Sequence, residues 1–506
     1  MIESHSPVTG KSLGLVPEMD AEEVAVAIAR ARDAARSWSQ LSIEERCQQL
    51  RRARDAMLEN ADDLVDLICA ETGKTRVEAW TSELLVTAEL IEYYLKHAGR
   101  ILAARRVGSG TLKTKRAWKR YSPLGVIGVI SPWNYPFSLT MTPVVTALFA
   151  GNAVVLKPSE VTPLVGCAAS RTFEATDHPD IVQVVTGGAS TGQALVSGDV
   201  DKISFTGSVS TGRLVAMAAA QNLTPVLLEL GGKDPMIICE DADLDRAANA
   251  AVWGAFTNAG QTCISVERVY AVESIYDQFV ARVTERAREV IPGKHVGSMT
   301  FAPQLDVVRR HLDDALSKGA RVLLGGHQAE GLSGMFFEPT VVVDVDHTMA
   351  IMTEETFGPI LCIMKVPDDT AALDAANDSR YGLSASVFTR SAERRDRIVR
   401  DIAAGSICVN DCLANYAIPS LPFGGVKMSG TGRSHGPEGL YEFSATKSVS
   451  EDITGLRADP LWFPPRRAFE AASKRFLQSR YHSSLRQRLR GLILGSTRHR
   501  QHGESK

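Results

Sequence analysis

The sequence contains no uninterrupted apolar stretch that approaches the roughly 20 residues a membrane-spanning helix needs. Its first residues, MIESHSPVTGKSLG, lack the basic start and apolar core of a secretory signal. The eight cysteines are scattered without a C-x-x-C pair, so the sequence indicates neither a disulfide framework nor a metal site. Scattered cysteines suit a reducing compartment, and these absences together predict a soluble, cytoplasmic protein.

Charge and length exclude further classes of protein. The net charge of −3 over 506 residues gives no reason to expect nucleic-acid binding by the chain as a whole. Hydrophobic residues make up 44% and charged residues 23%, the proportions of an ordinary globular protein. A chain of this length is too long for one small core, so two or three domains are expected.

Strands and helices alternate in the second hundred residues. Apolar residues at helical spacing cover residues 20–104. Continuous apolar runs that indicate buried strands follow at residues 125–131, 153–157, 181–185 and 202–206. Helical segments separate these runs, which predicts an α/β protein with a parallel sheet covered on both faces. Ligands in such sheets bind beyond the carboxyl ends of the strands.

The predicted strand ends carry small and polar residues, namely Lys157, Ser159, Glu160, Gly187, Gly207 and Ser208. The G-x-G-x-x-G fingerprint is absent from this half, so a standard Rossmann assignment cannot rest on that motif. Gly207 and Ser208 instead open a helix whose free N-terminal amides suit a pyrophosphate. A Gly-Ser turn before a helix is, however, more often only a tight turn.

The central stretch, residues 226–270, contains a candidate nucleophile. It begins with an apolar run that ends in Glu229, continues through Gly231 and Gly232, and reaches Cys263 among small and polar residues. A reactive cysteine needs access and a polar setting, because the thiolate is the nucleophile. A carboxylate can supply the base for a second step. The alternative is that Cys263 is a small buried hydrophobic residue.

Six motifs occur in order along the first 430 residues. They are Ser131-Pro-Trp-Asn-Tyr-Pro136, Leu156-Lys-Pro-Ser-Glu160, Phe205-Thr-Gly-Ser208, Leu228-Glu-Leu-Gly-Gly-Lys233, Asn258-Ala-Gly-Gln-Thr-Cys263 and Glu354-Glu-Thr-Phe-Gly-Pro359. The set resembles the signatures of the aldehyde dehydrogenase superfamily. One short string could arise by chance, whereas six in the family order are a strong signal.

The resemblance implies an α/β fold of three parts and a tail. A Rossmann-like NAD(P)-binding domain is expected at residues 1–104 and 122–230, and a second α/β, catalytic domain at 231–430. Residues 105–121 and 440–454 are expected to form a small β arm that joins subunits of a homodimer or homotetramer. The basic exposed stretch at 105–121 could also be a solvated loop, which charge runs usually are.

The resemblance also implies the chemistry. Cys263 would attack the aldehyde carbonyl to form a thiohemiacetal, with the Asn134 side-chain amide and the Cys263 backbone N–H as oxyanion donors. Glu229 would activate the water that hydrolyses the resulting thioester. Relatives that pass the acyl group to coenzyme A lack this glutamate, so hydrolysis is expected. The alternatives are a turn residue for Asn134 and a surface acid for Glu229.

NAD is the implied cofactor, with NADP also open. The carried-over cofactor-binding residues are Trp133, Lys157, Ser159, Glu160, Gly187, Gly207, Ser208, Gly231, Glu355 and Phe357. A carboxylate at Glu160 can accept from the ribose 2′-hydroxyl and would repel a 2′-phosphate. Lys157 and Ser159, in contrast, could tolerate that phosphate.

The substrate class is less defined. Tyr416, Trp253 and Phe256 suggest an apolar tunnel for a medium- or long-chain or aromatic aldehyde. The strings at 257–261 and 432–440 also resemble a branch assigned to succinate semialdehyde, whose carboxylate requires an Arg or Lys in the pocket. Functions from other classes are a cysteine thioesterase or hydrolase that needs no nucleotide, and a membrane-surface scaffold.

The tail at residues 455–506 differs in composition, with 12 Lys or Arg against 3 Asp or Glu. Apolar residues recur there at helical spacing among arginines, which indicates a basic amphipathic helix. Such a helix could lie on an anionic membrane. It could equally pack on its own subunit or a partner, or be a frayed terminus.

Overall fold

The computed structural model describes residues 1–459, 462–463 and 467–493. The strands within these residues are β1 Ile2–His5, β2 Ser12–Val16, β3 Arg105–Val107, β4 Lys115–Pro123, β5 Val126–Ile130, β6 Ala153–Lys157, β7 Val182–Val184, β8 Lys202–Thr206, β9 Val226–Glu229, β10 Asp234–Ile238, β11 Val266–Val272, β12 Arg321–Leu324, β13 Thr340–Val343, β14 Ile360–Val366, β15 Ser384–Phe388, β16 Ser406–Val409, β17 Gly430–Thr431 and β18 Ser444–Asp452.

The α-helices of the same residues are α1 Ala21–Trp38, α2 Ile43–Glu59, α3 Ala61–Thr72, α4 Arg76–Glu78, α5 Val86–Leu102, α6 Ser138–Phe149, α7 Pro163–Arg171, α8 Ala189–Ser197, α9 Val209–Ala220, α10 Leu244–Phe256, α11 Tyr276–Arg288, α12 Ala302–Ser317, α13 Ala350–Thr353, α14 Asp369–Asn377, α15 Ala392–Asp401, α16 Gly436–Glu442, α17 Arg467–Tyr481 and α18 Leu485–Ile493. A π-helix, Ala79–Leu85, joins α4 to α5. Within the described ranges, no helix is long and apolar enough to cross a membrane.

Two large sheets contain most of the strands, which confirms the predicted α/β class. The first has the order β17-β9-β8-β5-β6-β7 and is parallel except at the short edge strand β17. The second has the order β12-β13-β14-β11-β10-β15-β16 and is parallel except at β12.

The first sheet has an apolar layer on each face. Along β6, Val154 and Leu156 join the core beneath α6, whereas Ala153 and Val155 join the core beneath α1 and α8. Alternating side chains of one strand therefore enter two different cores, because successive residues of a strand point to opposite faces. This double burial explains why the strand is a continuous apolar run in the sequence.

The chain divides into two compact units. Residues 1–104 and 120–447 form one unit, which includes both large sheets, and residues 105–119 and 448–506 belong to the other. The predicted hairpin at 105–121 is present as β3 and β4, which belong to a sheet of order β18-β4-β3. Of the tail predicted at 455–506, residues 460–461, 464–466 and 494–506 lie outside the described residues. The assignment of a cofactor domain, a catalytic domain and an oligomerisation arm stays a prediction.

In the second sheet, apolar runs at residues 321–324, 340–343, 385–389 and 406–410 predict strands, whereas β10, β11 and β14 were not predicted. Charged residues mask the pattern in β11, where Glu267 and Arg268 are consecutive yet buried. Arg268 is satisfied there by the Lys233 carbonyl at 2.8 Å and the Tyr270 hydroxyl at 2.9 Å. Burial of charge inside a central strand is tolerated because each charged group has partners.

Candidate active site

A cavity of about 250 Å³ lies beyond the carboxyl ends of β5, β8 and β9. Nine of the thirteen sequence-predicted site residues line it, namely Trp133, Asn134, Gly207, Ser208, Glu229, Gly231, Cys263, Glu355 and Phe357. The fold therefore brings the three predicted catalytic residues and six predicted cofactor residues onto one wall. The parallel order of the first sheet is the reason, because it places the loops that follow successive strands side by side.

The other four predicted residues are outside the cavity lining, on the segments that follow β6 and β7. Lys157 is buried at the end of β6, and its ammonium lies 2.9 Å from the Glu160 carboxylate. The Ser159 hydroxyl accepts from the Val161 N–H at 3.2 Å. At Gly187, an added Cβ would overlap the Thr191 hydroxyl, so only glycine fits that position without rearrangement.

Cys263 is half-buried on the cavity wall, in the loop that precedes β11. Burial raises the pKa of the Cys263 thiol well above its ordinary value, and the carboxyls of Asp234 and Glu355 act in the same direction. The thiol is therefore protonated at neutral pH. Since the thiolate is the nucleophile, attack on a carbonyl requires a base that takes the proton as the C–S bond forms.

Glu229 is the last residue of β9 and is not the surface acid of the alternative interpretation. Both of its carboxyl oxygens are buried, and neither has a hydrogen-bond partner among the described residues. Burial raises the pKa of Glu229 to about 8, although the polar groups of nearby Ser434 and the positive charge of Arg433 oppose this rise. A carboxyl that titrates near neutral pH can both accept and release a proton there, as a general base must.

A left-handed turn sets the direction from which the chain approaches Cys263. Asn258, Ala259 and Gly260 have φ of 52°, 55° and 71° in succession. An added Cβ at Gly260 would overlap the Gly358 carbonyl, so glycine is required at that position. Such conformations are costly for residues with a Cβ and persist only where the surroundings enforce them.

Buried hydrogen bonds enforce this turn. The Glu78 carboxylate accepts from the Asn258 N–H at 2.6 Å, and the Asn258 side chain donates to the carbonyls of Asn134 and Gln261 at 3.0 and 3.1 Å. Gln261 donates to the Asn258 carbonyl at 2.9 Å and accepts from the Thr300 N–H at 2.8 Å. The loop is therefore fixed from both sides before it reaches the thiol.

Asn134 is held by the same network rather than serving only as a turn residue. Its side-chain nitrogen donates to the Gln261 carbonyl at 2.9 Å, which leaves one of its two hydrogens free of that bond. The Lys74 ammonium donates to the Asn134 carbonyl at 2.9 Å and pairs with the buried Glu83 carboxylate. Glu83 also accepts the backbone N–H of Phe137 at 3.0 Å, close to the start of α6.

Gly231 and Glu355, two of the predicted cofactor-binding residues, approach each other closely in the cavity lining. An added Cβ at residue 231 would overlap the Glu355 carboxylate, which accepts the Gly232 N–H at 3.2 Å. Burial raises the pKa of Glu355 to about 8. This desolvated carboxyl fits the hydroxyl groups of a ribose, because they can donate to it.

A buried ion pair positions the segment that carries Glu355 and Phe357. Lys233 pairs with Glu267, and the Glu267 carboxylate accepts the Thr356 N–H at 2.9 Å. Lys233 also donates to the Thr356 hydroxyl at 3.1 Å. The lysine therefore acts by positioning this segment. Glu267 and Glu78 were not among the predicted site residues, and the unusual acid inside the apolar run of β11 is the signal that could have identified Glu267.

Most of the other lining residues are apolar or aromatic, among them Leu139, Pro143, Leu383, Tyr416, Phe423 and Phe443. The polar members are Thr142, Thr146, Ser204, Thr206, Gln304 and Ser434. The Tyr416 ring lies 4.7 Å from the ring of buried His435. Burial lowers the pKa of His435 to about 4, so its imidazole is neutral and adds no charge to the wall.

Two aromatic residues predicted for the tunnel lie elsewhere. Trp253 is exposed on α10, and Phe256 is buried in the core of the second sheet. Neither lines the cavity. The reason is tertiary packing, because Phe256 is enclosed in the core of the second sheet and Trp253 faces solvent.

Comparison with protein-family models matches residues 1–449 to the aldehyde dehydrogenase family. A 4,4′-diapolycopene aldehyde oxidase of Methylomonas is 41% identical over 469 residues, which cover 91% of this chain and 87% of that protein. A protein of Mycolicibacterium smegmatis, whose name refers to succinate-semialdehyde dehydrogenase and NADP(+), is 39% identical, with 89% of each chain covered.

Solved structures agree with this result. The chain superimposes on an aldehyde dehydrogenase of Mycobacterium tuberculosis complexed with NAD+, with a TM-score of 0.85 and 36% identity, over 88% of this chain and 94% of that one. A betaine aldehyde dehydrogenase of Staphylococcus aureus in complex with NAD+ gives a TM-score of 0.85 at 30% identity, over 91% and 93% of the two chains.

We expect Gly231→Ala to weaken nucleotide binding, because the new Cβ displaces the Glu355 carboxylate. The KM for the nucleotide should rise at least about tenfold, equivalent to about 1.4 kcal/mol. The matched control is Gly99→Ala, whose Cβ meets Glu44 and Ile43 only at 3.8 and 3.9 Å. An unchanged nucleotide KM in Gly231→Ala would show that this close approach has no role in binding.

We expect Glu229→Gln to stabilise the protein at alkaline pH. The folded chain retains the Glu229 proton up to about pH 8, whereas an exposed carboxyl loses it near its ordinary pKa of 4.5. Stability contributed by this group therefore falls as pH rises from 4.5 to 8, by on the order of 5 kcal/mol at most. Thermal unfolding at pH 6 and pH 9 should show a smaller alkaline loss in the variant. Exposed Glu174→Gln is the control, and identical pH profiles for Glu229→Gln and wild type would contradict the expectation.

Proposed function

This chain belongs to the aldehyde dehydrogenase family, and from that premise we propose that it oxidises an uncharged, apolar aldehyde to the carboxylic acid with NAD(P), through a thioester on Cys263. One observation carries the proposal. The same cavity wall combines the Cys263 thiol, the Glu229 carboxyl and the Asn134 amide with a lining that is otherwise mostly apolar.

In the first step the Cys263 sulfur adds to the aldehyde carbon, and the thiol proton leaves through water to the solvent. The carbonyl oxygen becomes an alkoxide and needs donors already aimed at it. The free hydrogen of the Asn134 amide and the Cys263 backbone N–H are the proposed pair. One such donor is typically worth about 3 kcal/mol of transition-state stabilisation. The hydrogen bond from Asn134 to Gln261 keeps the amide oriented without further ordering cost.

When bound, the nicotinamide of NAD(P) supplies the acceptor for the hydride. Trp133 and Phe357, whose rings lie 5.5 Å apart, line the end of the cavity that we propose for the nicotinamide. Glu355 would accept hydrogen bonds from ribose hydroxyls, and the turn at Gly207 and Ser208, with the free N–H groups at the start of α9, would hold the pyrophosphate.

We assign the binding of the adenosine end of the cofactor to the segment that begins at the end of β6. Glu160 can accept from a ribose 2′-hydroxyl, which favours NAD. Its partner Lys157, 2.9 Å away, offers a positive charge to a 2′-phosphate, so NADP is also compatible. Gly187 and Ser159 shape the same edge of the sheet.

In the last step Glu229 takes a proton from water, whose oxygen attacks the thioester carbon. The C–S bond breaks, the Cys263 sulfur leaves, and the carboxylic acid is released. The raised pKa of Glu229 supports this role, because its carboxylate is basic enough to accept a proton near neutral pH. Hydrolysis rather than transfer to coenzyme A follows from the presence of the glutamate.

The cavity lining supports an uncharged substrate. Among the described residues that line it there is no Lys or Arg, and its two ionisable acids are Glu229 and Glu355. The Arg433 guanidinium is engaged by the carbonyls of Gly425 and Gly432 at 2.9 and 2.7 Å. The Methylomonas relative, whose name refers to an aldehyde of diapolycopene, is consistent with this class.

Succinate semialdehyde is the second candidate. The Mycolicibacterium relative and the strings at 257–261 and 432–440 favour it. Its carboxylate would have to enter a wall of apolar groups without a cationic partner, and a buried unpaired charge is strongly unfavourable. The apolar aldehyde is therefore the preferred class.

The mechanism predicts different failures for two variants. Cys263→Ala should lose NADH formation by at least about a thousandfold, because the nucleophile is absent. Glu229→Gln should form NADH in a single burst and then turn over about a hundredfold more slowly, because the thioester is no longer hydrolysed. Rapid-mixing measurement of NADH formation tests both variants, and the mass of the acylated chain shows whether the thioester accumulates in Glu229→Gln.

Half-buried Cys167→Ala is the matched control and should retain wild-type turnover. Normal steady-state turnover in Cys263→Ala would refute the mechanism. Product formed without any nucleotide would instead favour a hydrolase.

The substrate class predicts a specificity ratio. The kcat/KM for long-chain or aromatic aldehydes should exceed that for succinate semialdehyde by at least about a hundredfold, or about 3 kcal/mol. Leu139→Arg, on the half-buried cavity side of α6, should narrow the ratio by adding the missing cation, whereas Leu139→Gln should not. If the wild-type protein preferred succinate semialdehyde, the proposed apolar substrate class would be wrong, whereas the proposed oxidation of an aldehyde would still stand.

A further inference from the structure

The segment after β18 lies beyond residues 1–449, which the family model matches. It contains α17, Arg467–Tyr481, and α18, Leu485–Ile493, which pack against each other. Seven Lys or Arg and one acid, Glu470, occur between residues 467 and 493. The pair of helices therefore combines a strong positive charge with a separate structural element that the proposed chemistry does not use.

Apolar side chains of this segment are exposed to solvent. On α18, Leu485 is 71% exposed, and Leu489, one turn later, is also exposed. On α17, Phe476, Leu477 and Tyr481 are exposed at spacings of one, four and five residues, which places them on one side of the helix. Exposed apolar groups that recur at helical spacing mark a surface that contacts an apolar partner.

Arginines flank this apolar line. Arg486 and Arg488 are exposed on either side of the Leu485–Leu489 line of α18. On α17 the Arg480 guanidinium lies 5.9 Å from the rings of both Phe476 and Tyr481. This arrangement, with apolar groups at the centre and cations at the margins, is that of a helix lying in a lipid headgroup layer.

Two aromatic side chains precede the helices. Phe463 is 95% exposed, and Trp462 beside it is also exposed. Aromatic rings of this kind are enriched where a protein meets the boundary between water and lipid. They therefore add two exposed apolar side chains to the segment that carries the two helices.

We propose that Trp462–Phe463, α17 and α18 form a docking surface for an anionic lipid bilayer. The flanking arginines would bind lipid phosphates while the apolar side chains enter the headgroup boundary. A second copy of this chain fits the surface less well, because burial of the line against a protein would desolvate the marginal guanidiniums without a defined set of partners. In an anionic leaflet, by contrast, lipid phosphates surround the guanidinium groups and can pair with them.

The test is flotation of the full-length protein with phosphatidylcholine vesicles that contain phosphatidylglycerol, beside vesicles of phosphatidylcholine alone. Binding is expected only to the anionic vesicles, and it should fall as salt is raised because exposed charges are screened. Leu485→Glu combined with Leu489→Glu should reduce the bound fraction at least about tenfold. Arg486→Gln combined with Arg488→Gln should reduce both binding and its dependence on salt.

The matched control replaces exposed leucines elsewhere, Leu58→Glu with Leu316→Glu, and should bind like wild type. Oxidation of a short, water-soluble aldehyde should stay within about twofold in every variant, which shows that each one is folded. Equal binding to neutral vesicles, or no binding, would overturn the proposal. A loss of assembled mass in light scattering with vesicle binding unchanged would overturn it as well, because the surface would then join two copies of the chain.

Discussion

The cost of burying negative charge dominates this site. The carboxyls of Asp234, Glu355 and Glu229 all act on the Cys263 thiol, and none of the three makes an ion pair within the described residues. Burial raises the pKa of the three unpaired carboxyls, so they keep their protons longer than exposed acids do. The thiol in turn stays protonated. A protonated thiol is a weaker nucleophile than a thiolate, so burial limits unwanted reactions of the sulfur.

Placement of the thiol is fixed separately from its reactivity. The left-handed turn at Asn258–Gly260 is expensive in backbone free energy, and the buried acid Glu78 and the side chain of Gln261 hold it in place. Rigid placement of this kind reduces the reorganisation needed when charge develops on a bound carbonyl. The apolar residues of the cavity suit the uncharged substrate that we propose.

The sequence predicted the α/β class and the strands of the first sheet well, because their continuous apolar runs have no other common explanation. It also identified Cys263, Glu229 and Asn134 as residues that share one wall. It failed where tertiary contacts override local pattern. Trp253 was expected in the tunnel but lies exposed, since its place on α10 depends on how that helix packs. The partners of buried acids such as Glu267 are far apart along the chain, so no local pattern reveals them.

The network behind Asn134 has a consequence for how such proteins can be recombined. Lys74, Glu78 and Glu83 belong to the helical segment that precedes the first large sheet, yet they hold the Asn134 carbonyl, the Asn258 turn and the start of α6. The first hundred residues therefore do more than cover the sheet, because they also position residues of the site. A chimera that inherits them from a distant homologue would keep the nucleophile but lose its alignment, so natural exchange of segments at this boundary is expected to be selected against.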